Sequence, residues 1–459
     1  MFIGRQAELR VLERAYRSSR TEFIPVYGRR RVGKSELILH FIRDKPALYF
    51  LGKKAPPQLQ IRAFMETAAR ALGQPLLASV SAADWGTALG TVLSQKSGTA
   101  RLVLAFDEFQ WTAQASPELP SILQEQLDRS WKQRGDVLLI LCGSFIGFME
   151  REVLGEGSPL FGRRTAQILL KPFSFREAAL FHPGWSAADR AQAYFVCGGV
   201  PLYLRFFSPA DSIRANIESN LLSEFAPLYR EPDFLLREEL REVANYHAIL
   251  VALSSGSRAS AAIARQTGLP ERNLHYYLQQ LTELGYVSRR YPVTGRRPVA
   301  RNVRFALDDP LLRFWFRFVY PHLGFIAQMG PRRSFQELIR PDLDSYFGAC
   351  FERLCREALP LLYEREGVGA AWEIGEYWDK QTQIDVVGLR QDNRTDIGEC
   401  KWGAVRSPRA LAAELQKKID SYPNQRGATI QGRLFTRGKL KRRTAPTPVS
   451  FHSLEELYA

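Results

Sequence analysis

Cysteine and histidine are both scarce in this chain. Its 459 residues include five cysteines and six histidines. Cys142, Cys197, Cys350, Cys355 and Cys400 form no CxxC pair, and the histidines show no HxxxH or similar spacing. So odd and scattered a set of thiols argues against a disulfide framework or a zinc knuckle and suits a reducing cytosol. Long apolar runs are missing too. The opening FIGRQAELR carries charges where a secretory signal needs an apolar stretch. LLRFWFRFVY (311–320) is too short to span a bilayer, is interrupted by Arg313 and Arg317, and reads as an interdomain helix. A cytoplasmic protein with no membrane partner is expected, without repeats or low-complexity segments. Acid is in deficit: 63 Lys and Arg face 48 Asp and Glu, a net charge of +15. That excess favours polyanionic partners, nucleic acid first; the alternative is a basic surface kept soluble by its charge. The chain is too long for one core, so roughly two to four domains are expected.

What the sequence does contain begins with phosphate chemistry. EFIPVY (22–27) reads as a strand and SELILHFI (35–42) as a buried helix. Between them GRRRVGKS fits GxxxxGK[ST] in full: Gly28, Arg29, Arg30, Arg31, Val32, Gly33, Lys34, Ser35. The two glycines let the backbone curl around phosphates, with N–H groups and the helix N-terminus facing the anion. Lys34 would reach the β- and γ-phosphates of ATP, and Ser35 would offer a hydroxyl to Mg²⁺. Pro25 is out of place, because it cannot donate to a sheet ladder. RLVLAFDEFQW (101–111) supplies an apolar strand ending in acid. There Asp107 would hold Mg²⁺ through water, and Glu108 would act as general base. DVLLILCGS (136–144) is a further buried strand that ends in Ser144, where a γ-phosphate-sensing residue would sit. Strands alternating with helical stretches predict a parallel sheet.

MFIGRQAEL, GRRRVGKS, LAFDEFQ and GGVPLYL together resemble the archaeal-type ATPases, prokaryotic relatives of the AAA+ and signal-transduction NTPases. The resemblance implies that Phe2 to Arg5 line the adenine side of the pocket. It also implies that Pro201, in Gly199-Val200-Pro201, belongs to a helical lid. Arg163 or Arg164 would then be an arginine finger, although such a pair is more often a solvated turn.

From about residue 240 the pattern changes. YHAILVALSSG, ASAAIARQTG and ERNLHYYLQQLTELG show helical spacing, with GLPERN as the turn of a helix-turn-helix. YVSRRYPV and RNVRFAL then read as a hairpin, which completes a winged helix. Between Tyr286 and Leu307 stand six arginines (289, 290, 296, 297, 301 and 304) and no acid. Such a wing would sit against nucleic-acid phosphates, most naturally DNA. The third helix offers Glu271, Arg272, Asn273, His275 and Gln279 as base contacts. Winged helices also serve as packing modules.

Past Pro341 the order is helix, three strands, helix, strand, which is that of a restriction-endonuclease-like fold. If QIDVVGLR and DIGECKWG pair with their loop centred near Asp392, Asp385 falls opposite Glu399, and Lys401 shares that face. Cβ atoms so placed lie within about 5.5 Å, close enough to share a metal. Glu352, on the preceding helix, is a fourth member. A surface ion pair is the bland reading of Glu399 and Lys401. The set resembles the PD-(D/E)XK signature, with Asp385 and Glu399 on Mg²⁺ and Lys401 near the attacking water, and Gln383 departs from the usual acid before IDVV. GRLFTRGKLKRR (432–443) carries six basic residues and no acid, as a phosphate-tracking edge or a solvated loop.

The expected architecture is α/β throughout. A P-loop NTPase core spans 1–150, a helical lid 151–235, and a winged helix 236–310. An aromatic connecting helix covers 311–340 and a nuclease-like domain 341–459. The expected function is an ATPase that couples nucleotide state to DNA binding and Mg²⁺-dependent phosphodiester cleavage. The alternatives are a nucleotide switch that controls homo-oligomerisation and a DNA-binding regulator with an inactive nuclease fold.

Overall fold

The computed structural model describes residues 2–96, 100–296, 299, 302–440 and 449–459. The chain divides into two compact units, Met1–Pro172 and Phe173–Ala459.

The first unit is built on a parallel sheet. Its strands are β1 (Glu22–Tyr27), β2 (Ala47–Leu51), β3 (Leu102–Asp107), β4 (Val137–Gly143) and β5 (Ile168–Leu169), in the order β2-β3-β4-β1-β5. β1, β3 and β4 are buried along their whole length, as strands covered on both faces must be. Helices α1 (Gln6–Tyr16) and α2 (Lys34–Ile42) precede and follow β1. Helices α3 (Pro57–Ala71) and α4 (Trp85–Ser94) bring Phe64 and Trp85 against Phe50 and Phe106, with ring centroids 5.4–5.9 Å apart. Each ring so buried contributes about 1.5–3 kcal/mol.

Pro25 is explained by its phase in β1. Phe23 and Tyr27 direct their backbone groups toward the β5 side, where Thr165 N donates to Phe23 O at 2.9 Å and Leu170 N to Tyr27 O at 2.7 Å. Pro25, two residues from each, shares their phase, so its missing N–H falls on the side where β5 pairs only with Val26 and Tyr27. The ladder to β4 loses no donor.

The second unit includes, near its start, α5 (Ala187–Cys197) and α6 (Pro201–Phe206). Helices α7 (Val243–Ser254), α8 (Ser260–Thr267) and α9 (Glu271–Glu283) follow, with the antiparallel hairpin β6 (Val287–Arg290) and β7 (Arg304–Leu307). Next come α10 (Pro310–Phe314) and the long α11 (Arg340–Arg365), with Pro341 in its first turn, where its missing N–H costs nothing. A second sheet contains β8 (Trp372–Trp378), β9 (Gln383–Arg390), β10 (Arg394–Lys401), β11 (Thr429–Thr436) and β12 (Val449–Ser453), in the order β12-β11-β10-β9-β8. Helix α12 (Pro408–Ser421) connects β10 to β11, which run parallel, and α13 (Leu454–Tyr458) follows β12.

One core cluster in the second unit runs from Phe173 to Leu457. The aromatic stretch 311–320 is part of it: Phe314, Trp315, Phe316 and Phe318 are buried, and Trp315 Nε1 donates to Tyr229 O at 2.7 Å. It is therefore core rather than an interdomain connector, since its rings face the helices on both sides of it in sequence. Residues 151–172, expected in the lid, belong to the first unit, where β5 extends the sheet. β2, β12 and α13 are additions to the elements expected from sequence. Among the described residues, no helix is long and apolar enough to cross a membrane.

Candidate functional site

β1 delivers the chain into the P-loop, and the loop closes at Gly33, which caps α2 at φ +90°. Glycine is required at both ends: a Cβ on Gly28 would stand 2.3 Å from Leu170 O. Arg31 also adopts a left-handed conformation, at φ +69°. Arg5 Nη2 donates to Val32 O at 3.0 Å and so ties the loop to the start of the chain. Arg29 is buried, and the Arg30 guanidinium lies 5.5 Å over the Phe145 ring. Lys34 Nζ donates to Gly28 O at 2.9 Å and Arg29 O at 3.0 Å. Burial pushes its pKa below the ordinary lysine value, against the pull of Glu108 and Asp107.

The sheet order sets β4 between β1 and β3, so Ser144 emerges between the loop and the acids. Asp107 is almost fully buried; Tyr49 donates to its Oδ2, and Glu108 N donates to its Oδ1 at 2.9 Å. The Ser35 side chain also acts on the Tyr49 hydroxyl, which sets the end of the loop beside the acid of β3. Burial and the Asp107 carboxylate hold the Tyr49 pKa far up, so it remains a donor. Glu108 leaves the strand at φ +49°, and its Oε2 accepts from Ser144 Oγ at 2.8 Å and from Gln110 Nε2. Ser35 and Asp107 thus supply linked hard-oxygen donors of the kind a magnesium ion takes. Arg163 is engaged by Asp128 at 2.7 Å, and Arg164 is exposed. Pro201 is buried in the second unit at the first turn of α6.

In the second unit, Ile397 pairs with Val387 and Gly398 with Val386. One further step along this register sets Glu399 opposite Asp385. Both are 6% exposed, and Asp385 Oδ2 accepts from Cys400 N at 3.0 Å. Burial, then the Asp385 carboxylate, pushes Glu352 on α11 up to about 8 and Glu399 to about 7. The lysine on Glu399 is Lys418 of α12, which donates to its Oε2; Lys401 is exposed. Lys418, which the pattern Asp385…Glu399-Cys400-Lys401 does not include, is thus the ammonium paired with Glu399. The physical reason is that α12 packs on β10 and β11, whereas Lys401 ends its strand in solvent. Among the described residues, no three His, Cys, Asp or Glu side chains are grouped to hold a metal ion.

Helix α9 exposes Glu271, Arg272, Asn273, His275 and Gln279. The wing differs from a free, phosphate-facing hairpin. Past β6, Val293 N donates to Glu376 O at 2.9 Å and Tyr422 OH donates to Val293 O at 3.0 Å, which docks the wing on the carboxyl-terminal sheet. Arg290 pairs with Asp308 at 2.6 Å, and Arg304 covers the Trp378 ring at 4.6 Å. Arg289 and Arg296 are exposed, while Arg297 and Arg301 lie outside the described residues, as do Lys441, Arg442 and Arg443. Arg433 is no surface charge: fully buried, it binds Asp396 at 2.6 Å and Glu366 at 2.6 and 2.7 Å.

Residues 2–206 match the family described as an ATPase domain predominantly from Archaea. Residues 2–206 are thus a P-loop ATPase domain of this archaeal type. Two further stretches of the ATPase match known families. Residues 243–290 match the IclR helix-turn-helix domain, and 315–413 match a family described as Archaea bacterial proteins of unknown function. Over 437 residues it is 28% identical to an uncharacterized protein of Methanocaldococcus jannaschii, covering 92% of this chain and 94% of that one. An uncharacterized ATP-binding protein of the same organism is 47% identical over 45 residues, 10% of this chain and 76% of its own. Among solved structures, the Walker-type ATPase of Pyrococcus abyssi superposes with a TM-score of 0.52 at 18% identity, covering 69% of this chain and 96% of that one. At that identity the likeness concerns the fold alone.

Several site residues of the ATPase carry no sequence signal. Tyr49 lies on a strand with no motif, and Lys418 reaches Glu399 across the sheet from 19 positions on. Gln110 was within view, two residues past Glu108, but only folding shows its amide on Glu108 and on Ser144 Oγ at 3.1 Å.

Proposed function

We propose that this ATPase uses its nucleotide state to govern binding of DNA by its helix-turn-helix region. The observation that carries the reading is a Lys34 buried in the P-loop together with an Asp107 bonded by Tyr49 and a Glu108 held by two donors. Lys34 would leave the loop carbonyls for the β- and γ-phosphates of ATP. Ser35 and Asp107 would hold Mg²⁺, whose charge would offset that of the phosphates. Glu108 would take the proton of the attacking water at its carboxylate, oriented by Ser144 and Gln110. Pro201 would belong to a lid, and the exposed face of α9, with Arg289 and Arg296, would meet DNA. The test is ATP turnover by the purified protein with and without DNA. DNA-stimulated turnover is expected; tightly held nucleotide with few turnovers would instead favour a switch that controls homo-oligomerisation.

A second reading is phosphodiester cleavage at Asp385, Glu399, Glu352 and a lysine. The opposed carboxylates favour it. Its test is linear, circular and single-stranded DNA incubated with the protein and Mg²⁺. Cleavage that survives Lys401→Ala and is lost in Lys418→Ala would support the reading, with Lys418 as the working ammonium. Every substrate left intact by the wild-type protein would remove it and leave a DNA-binding regulator.

A further inference from the structure

Two cavities in the second unit, of about 570 and 340 Å³, share Arg313, Arg353 and Arg356 in their walls. The larger adds Arg290 from the wing, so four guanidiniums face it, against the carboxylates Asp308 and Glu357. Burial pushes the Glu357 pKa up, toward the uncharged acid. Asp308 already serves two of the arginines, Arg290 at 2.6 Å and Arg353 at 3.0 Å. Arg313 directs its donors to Leu307 O at 3.4 Å and Cys350 Sγ at 3.3 Å, neither of which carries a full negative charge. Arg353 is brought down to about 9 by its burial and by Arg313 beside it. Asp308 acts against that fall, and Arg313 itself is held up by Cys350 and Tyr346.

We infer that this arginine-lined cavity is a second phosphate site, which takes a nucleotide-sized ligand bearing a terminal phosphate. The guanidinium fork matches phosphate oxygens in pairs, and four of them line a cavity whose walls hold two carboxylates, Asp308 and Glu357. The volume falls within the range of small-ligand pockets, roughly 300–1,000 Å³. Trp372 lines the larger cavity with 38% of its surface exposed, a platform on which a base can stack. The phosphate comes from a free nucleotide or from the end of a nucleic-acid strand. Arg356 extends the site toward the carboxylates: it donates to Asp385 O and lies 3.9 Å from Glu376, while Glu352 lines the smaller cavity. The site is separate from the P-loop and does not depend on the reading of that loop.

Calorimetric titration of the full chain carrying Lys34→Ala, which weakens the P-loop, tests this site. The probes are adenosine 5′-monophosphate and a four-nucleotide single strand with a 5′-phosphate, each beside its unphosphorylated counterpart. At least one phosphorylated probe is expected to bind at least about tenfold more tightly than its counterpart. Which of them does so identifies the source. Arg290→Gln with Arg356→Gln is expected to remove that preference while circular dichroism remains unchanged. Trp372→Ala, at the exposed mouth, is expected to weaken both probes and serves if the arginine variant fails to fold. Equal binding of phosphorylated and unphosphorylated probes, or no binding at all, would overturn the site. So would a preference that survives the arginine and tryptophan changes.

Discussion

Lys34 is buried, yet it forms no ion pair with the acids that act on it; two carbonyls of its own loop hold it. Replacing it leaves Gly28 O and Arg29 O without their donor and removes the cation for the phosphates. Lys34→Ala is therefore expected to lower ATP affinity by about two orders of magnitude, read by equilibrium binding of a fluorescent nucleotide. ATP binding at full strength would place the nucleotide elsewhere. The two lysines of the carboxyl-terminal cluster differ in the same physical way. Lys418 compensates a buried carboxylate, while Lys401 stands in solvent. Lys418→Ala is expected to cost roughly 1–3 kcal/mol in chemical denaturation, because it strands Glu399. Lys401→Ala is expected to change stability by less than about 0.5 kcal/mol.

Glu352 gives a pH dependence with a definite sign. Its folded pKa of about 8 stands above the ordinary 4.5, so between those values the folded form holds a proton that the unfolded chain has lost. Stability from this group is complete below the lower value and falls as pH rises toward the upper one. Glu352→Gln is expected to flatten the decline in urea midpoint between about pH 4.5 and pH 8. An unchanged slope would remove Glu352 as its source.

At the scale of elements, local pattern and tertiary packing divide the information in the sequence. The register of β9 and β10 was legible, because a two-fold alternation and one turn fix it: a loop centred at Asp392 sets Asp385 against Glu399. The P-loop was legible because its glycines and lysine are contiguous. Lys418 was not, since which face of α12 meets the sheet depends on Leu411 and Leu415 packing on residues distant in sequence. The docked wing was not legible either. Six arginines read as solvent-facing charge until Val293 and Tyr422 fix the hairpin to the sheet. The DNA-binding expectation narrows accordingly. Arg289→Ala with Arg296→Ala is expected to weaken DNA binding and reduce the slope of log affinity against log salt by about one for each phosphate no longer neutralised. A slope equal to that of the wild type in gel-shift titrations would exclude the wing from the DNA interface.

For the whole molecule, a net charge of +15 accompanies an ATPase domain and a helix-turn-helix region, and the proposed binding of DNA rests on that combination. The carboxyl-terminal sheet shares one core with the helices of the second unit, so its role is tied to theirs in folding as well as in sequence. The central claim is hydrolysis of ATP at Glu108, and steady-state phosphate release by wild type and Glu108→Gln tests it most directly. Glutamine keeps the shape and the hydrogen-bonding neighbours of Glu108 but cannot accept the water's proton. The expected result is a fall of about 10²–10⁴-fold in turnover with ATP still bound. Turnover at the wild-type rate in Glu108→Gln would contradict it.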